Sequence, residues 1–237
     1  MRAFLKKVAS KFLILVLSFS LLLAGKAIAA SADHVVISEV QTSGTIATTD
    51  DFIELYNPTT SASNLKGFRL ARRSQTSVTD TTIKSWTTDT FIPPGGFYLW
   101  ANSGYSAIAA TPDAATTATI ADNNSVALRQ GAENTGLIVD SLAWGSGHDA
   151  SLGEGAALGN ILPGKSLERK ANALSTPASM AIGGFDEFKG NAWDTGENSA
   201  DLILRSNPKP QNSLSPSEKA KRPCKRPSPR CPKICPL

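Results

Sequence analysis

From about Asp33 to Gln211 the chain repeats one pattern, in which short runs of alternating apolar and polar residues are separated by turn-forming residues. No window in this stretch places apolar residues at i, i+3, i+4 and i+7, the spacing that one face of a helix needs. Runs of this kind bounded by Gly, Pro, Asn, Asp or Ser predict β-strands. The predicted strands are residues 35–41, 52–56, 68–73, 81–86, 97–101, 125–130, 137–144 and 166–170. Many short strands without helices between them predict an all-β antiparallel sandwich or barrel.

Two of the runs carry apolar residues on both faces. In 52–56, Ile53 and Leu55 alternate with Phe52 and Tyr56, and the run 137–144 has no wholly polar face either. Since strand side chains alternate between the two faces of a sheet, we expect both runs to be interior strands. A domain over residues 33–212 is long enough to bury one independent core.

The first 30 residues have the three parts of a secretory signal peptide. Basic residues up to Lys11 precede an apolar run over residues 12–24, and small residues follow from Ala27. This order predicts a cleavable signal peptide over residues 1–30, cut near Ala29–Ser31. The apolar run is shorter than the roughly 20 residues that span a bilayer, although an uncleaved anchor is an alternative. We therefore expect a secreted, extracellular or cell-envelope protein with no transmembrane segment in the mature chain.

Residues 213–237 form a basic tail rich in Pro, and all three cysteines of the chain lie in it. With so few apolar residues, we expect it to be disordered. Its charges suggest attachment to an anionic envelope polymer or a partner protein, and the alternative is a solvated linker without a binding role. The predicted anchoring residues are Lys219, Lys221, Arg222, Lys225, Arg226, Arg230 and Lys233. An intermolecular disulfide through Cys224, Cys231 or Cys235 is a further possibility, because the cysteine count is odd.

The net charge of +4 comes from the two ends of the chain. Basic residues are concentrated in residues 1–30 and 218–237, so the segment between them is net acidic. A folded nucleic-acid binder normally carries a basic stripe on its folded part. We therefore expect no nucleic-acid binding by the folded domain.

Several stretches together resemble the lamin tail domain family, in the form found in exported bacterial proteins. They are residues 37–40, 51–59, 65–70, 92–100, 122–128, 139–145, 164–169, 192–201 and 208–213. The resemblance implies an immunoglobulin-like antiparallel β-sandwich and no catalytic activity. It also implies structural roles for the residues that carry the motifs. These are Glu39, Phe52, Glu54, Leu55, Asn57, Pro58, Gly67, Pro94, Gly95, Asp140, Ser166, Leu167, Glu168, Arg169, Asp194 and Asn198.

No catalytic constellation is convincing. His148 lies between Ser146 and Asp149 in a Gly-rich turn, but members of a catalytic triad converge from separate parts of a fold. Glu39 and Glu54 lie in successive predicted strands and could face each other, as glycosidase acids do. The alternative is that each bonds to the backbone or to an arginine such as Arg69 or Arg169.

Calcium is the one cofactor that the sequence suggests. Four oxygen-bearing side chains lie close together near the end of the domain, and calcium takes six to eight oxygen ligands. They are Asp194, Glu197, Asn198 and Asp201. Asx-turns and a helix cap would explain the same residues without a metal.

We therefore predict a non-enzymatic binding or structural module of the cell exterior, attached through its basic tail. One alternative is an exported hydrolase, with or without calcium, that uses acidic residues of the sandwich. The other is a truncated member of a larger exported protein.

Overall fold

The computed structural model describes residues 30–106, 110–145 and 152–220. Residues 1–29 of the predicted signal peptide, His148, the cysteines and the predicted anchoring residues other than Lys219 lie outside these ranges. No helix among the described residues is long and apolar enough to cross a bilayer.

Within the described ranges the chain forms short strands and one helical turn. In chain order these are β1 (Ala30–Ser31), β2 (Val36–Gln41), β3 (Phe52–Tyr56), β4 (Ser63–Asn64), β5 (Phe68–Ser74), β6 (Thr81–Ser85), β7 (Phe91–Ile92), β8 (Phe97–Asn102), β9 (Ala114–Thr116), β10 (Asn124–Gln130), β11 (Leu137–Ala143), β12 (Ser166–Arg169), β13 (Trp193–Asp194), α1 (Asn198–Asp201) and β14 (Leu202–Arg205).

Two larger sheets make up the sandwich. One has six strands in the order β14-β12-β2-β3-β8-β9, and the other has four in the order β11-β10-β5-β6. Pairing is antiparallel throughout these sheets except between β8 and β9. The short pairs β1–β13 and β4–β7 lie outside the two sheets. The predicted all-β, immunoglobulin-like antiparallel sandwich is confirmed.

The eight predicted strands all form, each within one residue of its predicted ends. The alternation of apolar and polar residues identifies these strands in the sequence, because one face of each strand packs into the core. Strand β14 was not predicted, since its four residues follow the turn α1 directly and no turn residue separates the two. The two-residue strands are too short to give any periodic pattern.

The interior position predicted for 137–144 is wrong, because β11 is an edge strand of the four-stranded sheet. The side chain of Asn198 covers this edge instead of a further strand. Its Nδ2 donates to the Ser141 carbonyl at 3.0 Å, and the Ala143 N–H donates to its Oδ1 at 3.0 Å. An edge whose backbone groups are bonded in this way is less available for pairing with a further strand.

The core fills the space between the inner faces of the two sheets. Leu55 and Trp100 of the six-stranded sheet face Leu70 and Leu128 of the four-stranded sheet, and none of the four has exposed surface. Each of these side chains contributes roughly 1.5–3 kcal/mol by leaving water. The core thus holds the fold together without a disulfide in the described residues.

The outer face of the six-stranded sheet is buried as well. Along β3, the outward-pointing Phe52, Glu54 and Tyr56 are all less than 3% exposed. Residues 206–220, which follow β14, cover part of this face. We call this segment the C-terminal strap. It crosses back over the sheet towards the turn at Gly95, where the Glu218 N–H donates to the Gly95 carbonyl at 2.8 Å.

The domain boundary predicted at residue 212, with a disordered tail beginning at 213, is therefore wrong for residues 213–220. The Ser213 N–H donates to Asp113 at 2.9 Å, and the Tyr56 hydroxyl donates to the Glu218 carbonyl at 2.6 Å. Ala220 packs against a small apolar cluster that includes Tyr56 and Phe97. Composition predicted disorder because the strap carries few apolar residues, but it docks mainly through hydrogen bonds.

A chain that ends at Asn212 should be less stable than the full chain by about 2–4 kcal/mol, because the bonds of Glu218 and the packing of Ala220 are lost. Urea unfolding followed by tryptophan fluorescence measures the difference. A chain that ends at Ala220 is the control and should unfold like the full chain. Equal stability of all three would show that residues 213–220 contribute nothing to the stability of the fold.

Candidate functional site

One cluster of charged side chains lies between the two sheets, with Arg169 at its centre. Leu167 and Arg169 of β12 point into the sandwich, and the guanidinium of Arg169 has no exposed surface. Its Nη2 donates to both carboxylate oxygens of Asp140 on β11, at 2.8 and 2.9 Å. Asp140 is also fully buried, so this ion pair joins the six-stranded sheet to the four-stranded sheet.

The other donors of Arg169 bind backbone carbonyls. Its Nε donates to Ile37 O at 3.1 Å, and its Nη1 donates to Trp193 O at 3.2 Å. The Ile37 N–H in turn donates to Asp140. A single guanidinium thus connects strands β2, β11, β12 and β13.

More acids surround this guanidinium than it can neutralise. Asp194 lies 3.4 Å and Asp201 4.0 Å from Nη1 of Arg169. Burial, and then the charges of Asp140 and Asp194, raise the pKa of Glu154 to about 8. Burial also raises the pKa of Asp140, although Arg169 opposes this.

His34, Asp140 and Asp194 are close enough to be considered as metal ligands, since one ligand atom of each lies within 4.8 Å of the others. Both oxygens of Asp140, however, already accept bonds from Arg169. A guanidinium beside the ligands would also repel a metal cation. The group therefore serves as an ion-pair network.

The four predicted calcium ligands do not converge on one point. Asn198 Oδ1 accepts the backbone N–H groups of Ala143 and Glu154. Asp201 accepts the N–H and hydroxyl of Thr195, both at 2.7 Å. Asp194 accepts the Gly196 N–H, and Glu197 accepts the Ala156 N–H. The Asp194–Gly196 bond is the turn expected from the alternative, whereas Glu197 forms no side-chain cap on α1, and Asn198 and Glu197 bind distant backbone groups. The geometry gives calcium no support.

A second cluster lies on the outer face of the six-stranded sheet, under the C-terminal strap. Glu39 of β2 is the register partner of Glu54 on β3 and of Glu168 on β12. Three glutamates therefore stand side by side on adjacent strands. We call Glu39, Glu54 and Glu168 the glutamate shelf.

Serine hydroxyls and backbone N–H groups bind this shelf. Ser166 donates to Glu39, and Ser38 donates to Glu54 at 2.5 Å. The strap supplies backbone donors, from Lys209 to Glu39 and from Gln211 to Glu54. Arg205 of β14 lies 2.8 Å from Glu168.

The shelf holds protons more tightly than free glutamates do. Burial raises the pKa of Glu39 to about 7, although Ser166 opposes this. Burial and then the charge of Glu39 raise the pKa of Glu168 to about 8. The same two causes raise the pKa of Glu54 well above its usual value. Apolar neighbours explain the burial, since Phe52 and Tyr56 flank Glu54 on its own strand.

A shallow cavity of about 440 Å³ lies between the strap and the loop that carries Met180 and Phe188. Glu168 and Arg205 form part of its lining. Nη1 of Arg205 is buried and has no hydrogen-bond partner among the described residues. The cavity is thus continuous with one end of the shelf.

Glu39 and Glu54 lie side by side on adjacent strands, as predicted, but the strap covers both carboxyl groups. The arginines suggested as their partners bind elsewhere, since Arg169 pairs with Asp140 and Arg69 donates to the Gly131 carbonyl and Thr82. Arg205 is the arginine near the shelf. It comes from a strand that the sequence did not predict.

The remaining motif residues have structural positions. Asn57 Nδ2 donates to Ser61 O and Ile92 O, which joins two loops. Pro58 is buried, and Pro94 is exposed at the turn. Gly95 has a φ of 68°, and a side chain there would collide with the Glu218 backbone.

Further motif residues are in the core or at its edges. Leu55 and Leu167 belong to the main core, whereas Phe52 packs on the outer face with Leu99. Gly67 has a φ of 83° at the turn before β5.

The lamin tail domain family model matches residues 28–146, half of the chain. The chain belongs to the lamin tail domain family. Members of this family are non-catalytic immunoglobulin-like domains. The match includes Glu39, Glu54 and Asp140, whereas Glu168 and Arg169 lie beyond its end.

A solved structure of a DUF4876 family protein from Bacteroides thetaiotaomicron is similar to this lamin tail domain protein. The two are 12% identical with a TM-score of 0.46, and the likeness covers 81% of this chain and 75% of that chain. No curated protein gives a significant match.

Replacing Asp140 with Ala should destabilise the lamin tail domain by about 3–5 kcal/mol, because the Arg169 guanidinium would stay buried without its carboxylate. Asp89→Ala is the matched control, since the Lys66–Asp89 pair is more than half exposed and should contribute less than about 1 kcal/mol. Urea unfolding at pH 7 measures both. Similar small losses in the two variants would show that the buried pair does not hold the sheets together.

Stability should fall as the pH rises from about 4.5 to 8. Over this range the unfolded glutamates ionise, while Glu39, Glu168 and Glu154 keep their protons in the folded state because their pKa values are about 7, 8 and 8. The folded state then binds more protons than the unfolded state, so each pH step favours unfolding until the folded pKa is passed.

Urea unfolding at pH 5, 6, 7 and 8 tests this dependence. Glu168→Gln should reduce the slope, whereas Glu197→Gln, at a half-buried glutamate whose pKa is lowered, should not. A rise in stability over the range would contradict the raised pKa values.

Proposed function

We propose that this lamin tail domain protein is an exported, non-enzymatic binding and structural module of the cell envelope or exterior. Its sandwich is a stable scaffold, and the Lys- and Arg-rich residues 221–237 attach it to an anionic envelope polymer. The proposed location rests on the signal-peptide pattern of residues 1–30.

The position of Ala220 carries this proposal. Ala220 lies beside Pro58 and Gly95 at the surface of the sandwich, next to the exposed Lys219. Residues 221–237 therefore start at the outside of the folded domain, from a point that the strap contacts hold in place. A basic segment attached there can contact a polyanion without any change in the sandwich.

The ionisable groups of the sandwich favour a scaffold over a hydrolase. The strap covers Glu39 and Glu54, and Asp140 is bound by Arg169. Arg73 and Arg129 both pair with the buried Asp80, so they do not present a free basic surface to nucleic acid. These groups are engaged within the protein, which leaves recognition to its surface and its C-terminus.

Co-sedimentation with the source organism's cell-envelope fraction, and retention on heparin as a defined polyanion, test the proposal under reducing conditions. The full chain should bind and should elute as salt screens the charges, whereas a chain ending at Ala220 should not bind. Replacing Lys66 and Lys84 of the sandwich with Gln is the matched control and should leave binding unchanged. Equal binding of the shortened chain would place recognition on the sandwich and contradict attachment through the basic residues.

A further inference from the structure

The C-terminal strap lies on the glutamate shelf through its backbone. The N–H groups of Lys209 and Gln211, two residues apart, donate to Glu39 and Glu54 on neighbouring strands. Further along the strap, Glu218 accepts the Gly190 N–H and the Gln211 side-chain amide, both at 2.9 Å. The strap is therefore docked at both ends by bonds to carboxyl groups.

Apolar burial adds little to this docking. Pro210 is buried and Ala220 packs against an apolar cluster, but Leu214 is 89% exposed. The strap thus lacks the apolar surface that would hold it in place whatever the charge of the shelf. Hydrogen bonds therefore hold the strap in place, among them those to the carboxyl groups beneath it.

The charges around the shelf do not balance when every glutamate is ionised. Glu39, Glu54 and Glu168 from the sheet and Glu218 from the strap then face one buried guanidinium, that of Arg205. The ammonium of Lys209, 2.9 Å from Glu187, is committed to that carboxylate.

Two other elements contribute ionisable groups. In the loop after β8, Tyr105 lies close enough to Glu39 and Asp50 for their charges to affect it. In the segment before β9, Asp113 binds Ser213 of the strap. Neither element adds a cation, so ionisation of the shelf leaves an excess of negative charge under the strap.

We propose that the strap is a pH-controlled latch, docked while the shelf glutamates hold protons and released from the sheet when they ionise. Docking excludes water from the shelf, and water is what ionised carboxylates need. The Gln211 N–H favours the ionised form of Glu54, and Arg205 favours that of Glu168, but burial and the charge of Glu39 outweigh them. Release lets water reach the carboxylates, while the core between the sheets stays intact.

Release would change the reach of the C-terminus. While the strap is docked, residues 221–237 start beside Gly95. After release they would be tethered at Arg205, the end of β14, through 15 free residues, which can extend by up to about 50 Å. The latch would thus set how far from the sandwich the basic residues act.

Hydrogen exchange of the full chain between pH 5 and 9 tests the latch, with rates divided by the intrinsic rate at each pH. Protection of the amides in residues 206–220 should fall at least about tenfold between pH 6 and 8, because one proton released per opening changes the equilibrium about tenfold per pH unit. Amides of β10, in the other sheet, exchange through global unfolding and should therefore remain more strongly protected than those of the strap at every pH. The double variant Glu39→Gln, Glu54→Gln keeps acceptors for the strap without their charge and should remain protected at pH 8.

Glu187→Gln is the matched control, since it removes a carboxylate that contacts the strap outside the shelf, and it should behave like the unmodified chain. If the double variant does not fold, Glu218→Gln on the strap itself should reduce the pH dependence. Protection that is constant from pH 5 to 9 would overturn the latch. An equal loss of strap protection in the double variant would also overturn the latch. The same holds if Glu187→Gln alone abolishes the loss of protection. None of these readouts involves an envelope polymer, so attachment and the latch can fail separately.

Discussion

The buried ion pair between Arg169 and Asp140 is the interaction on which the sandwich depends. A guanidinium without exposed surface is stable only with a carboxylate and with acceptors for its remaining N–H groups, and Asp140, Ile37 and Trp193 supply them. The pair also fixes which strands face each other across the core. Asp140 lies inside the range that the family model matches and Arg169 outside it, so the residues after 146 complete the core of the domain.

A third layer makes this sandwich different from two sheets with solvated outer faces. The strap and nearby loops bury the outer face of the six-stranded sheet, including the glutamate shelf. Burying carboxyl groups between apolar side chains raises their proton affinity, and backbone donors from the strap partly compensate. The same contacts that hold the C-terminus in place therefore make it sensitive to charge, which connects the stability of the fold to the position of the basic residues.

The site could be predicted only in part. Glu39 and Glu54 were recognised as possible neighbours because they lie in successive strands, and antiparallel pairing brings such residues together. Arg205, Gln211 and Glu218 were missed, since nothing in the local pattern shows that a polar, proline-containing segment returns to the sheet. Asp140 and Arg169 were identified through motifs, but their pairing is a contact between two sheets that no periodicity reveals.

The sequence alone determined the all-β class and eight strands to within a residue of their ends, because alternation and turn residues act locally. The family resemblance agreed with the match over residues 28–146. Only the tertiary structure decided that β11 is an edge strand, that residues 213–220 belong to the domain, and that the acids form two buried clusters. Those features depend on which distant segments meet, and the free energy of such contacts comes from burial and hydrogen-bond partners that a single strand does not contain.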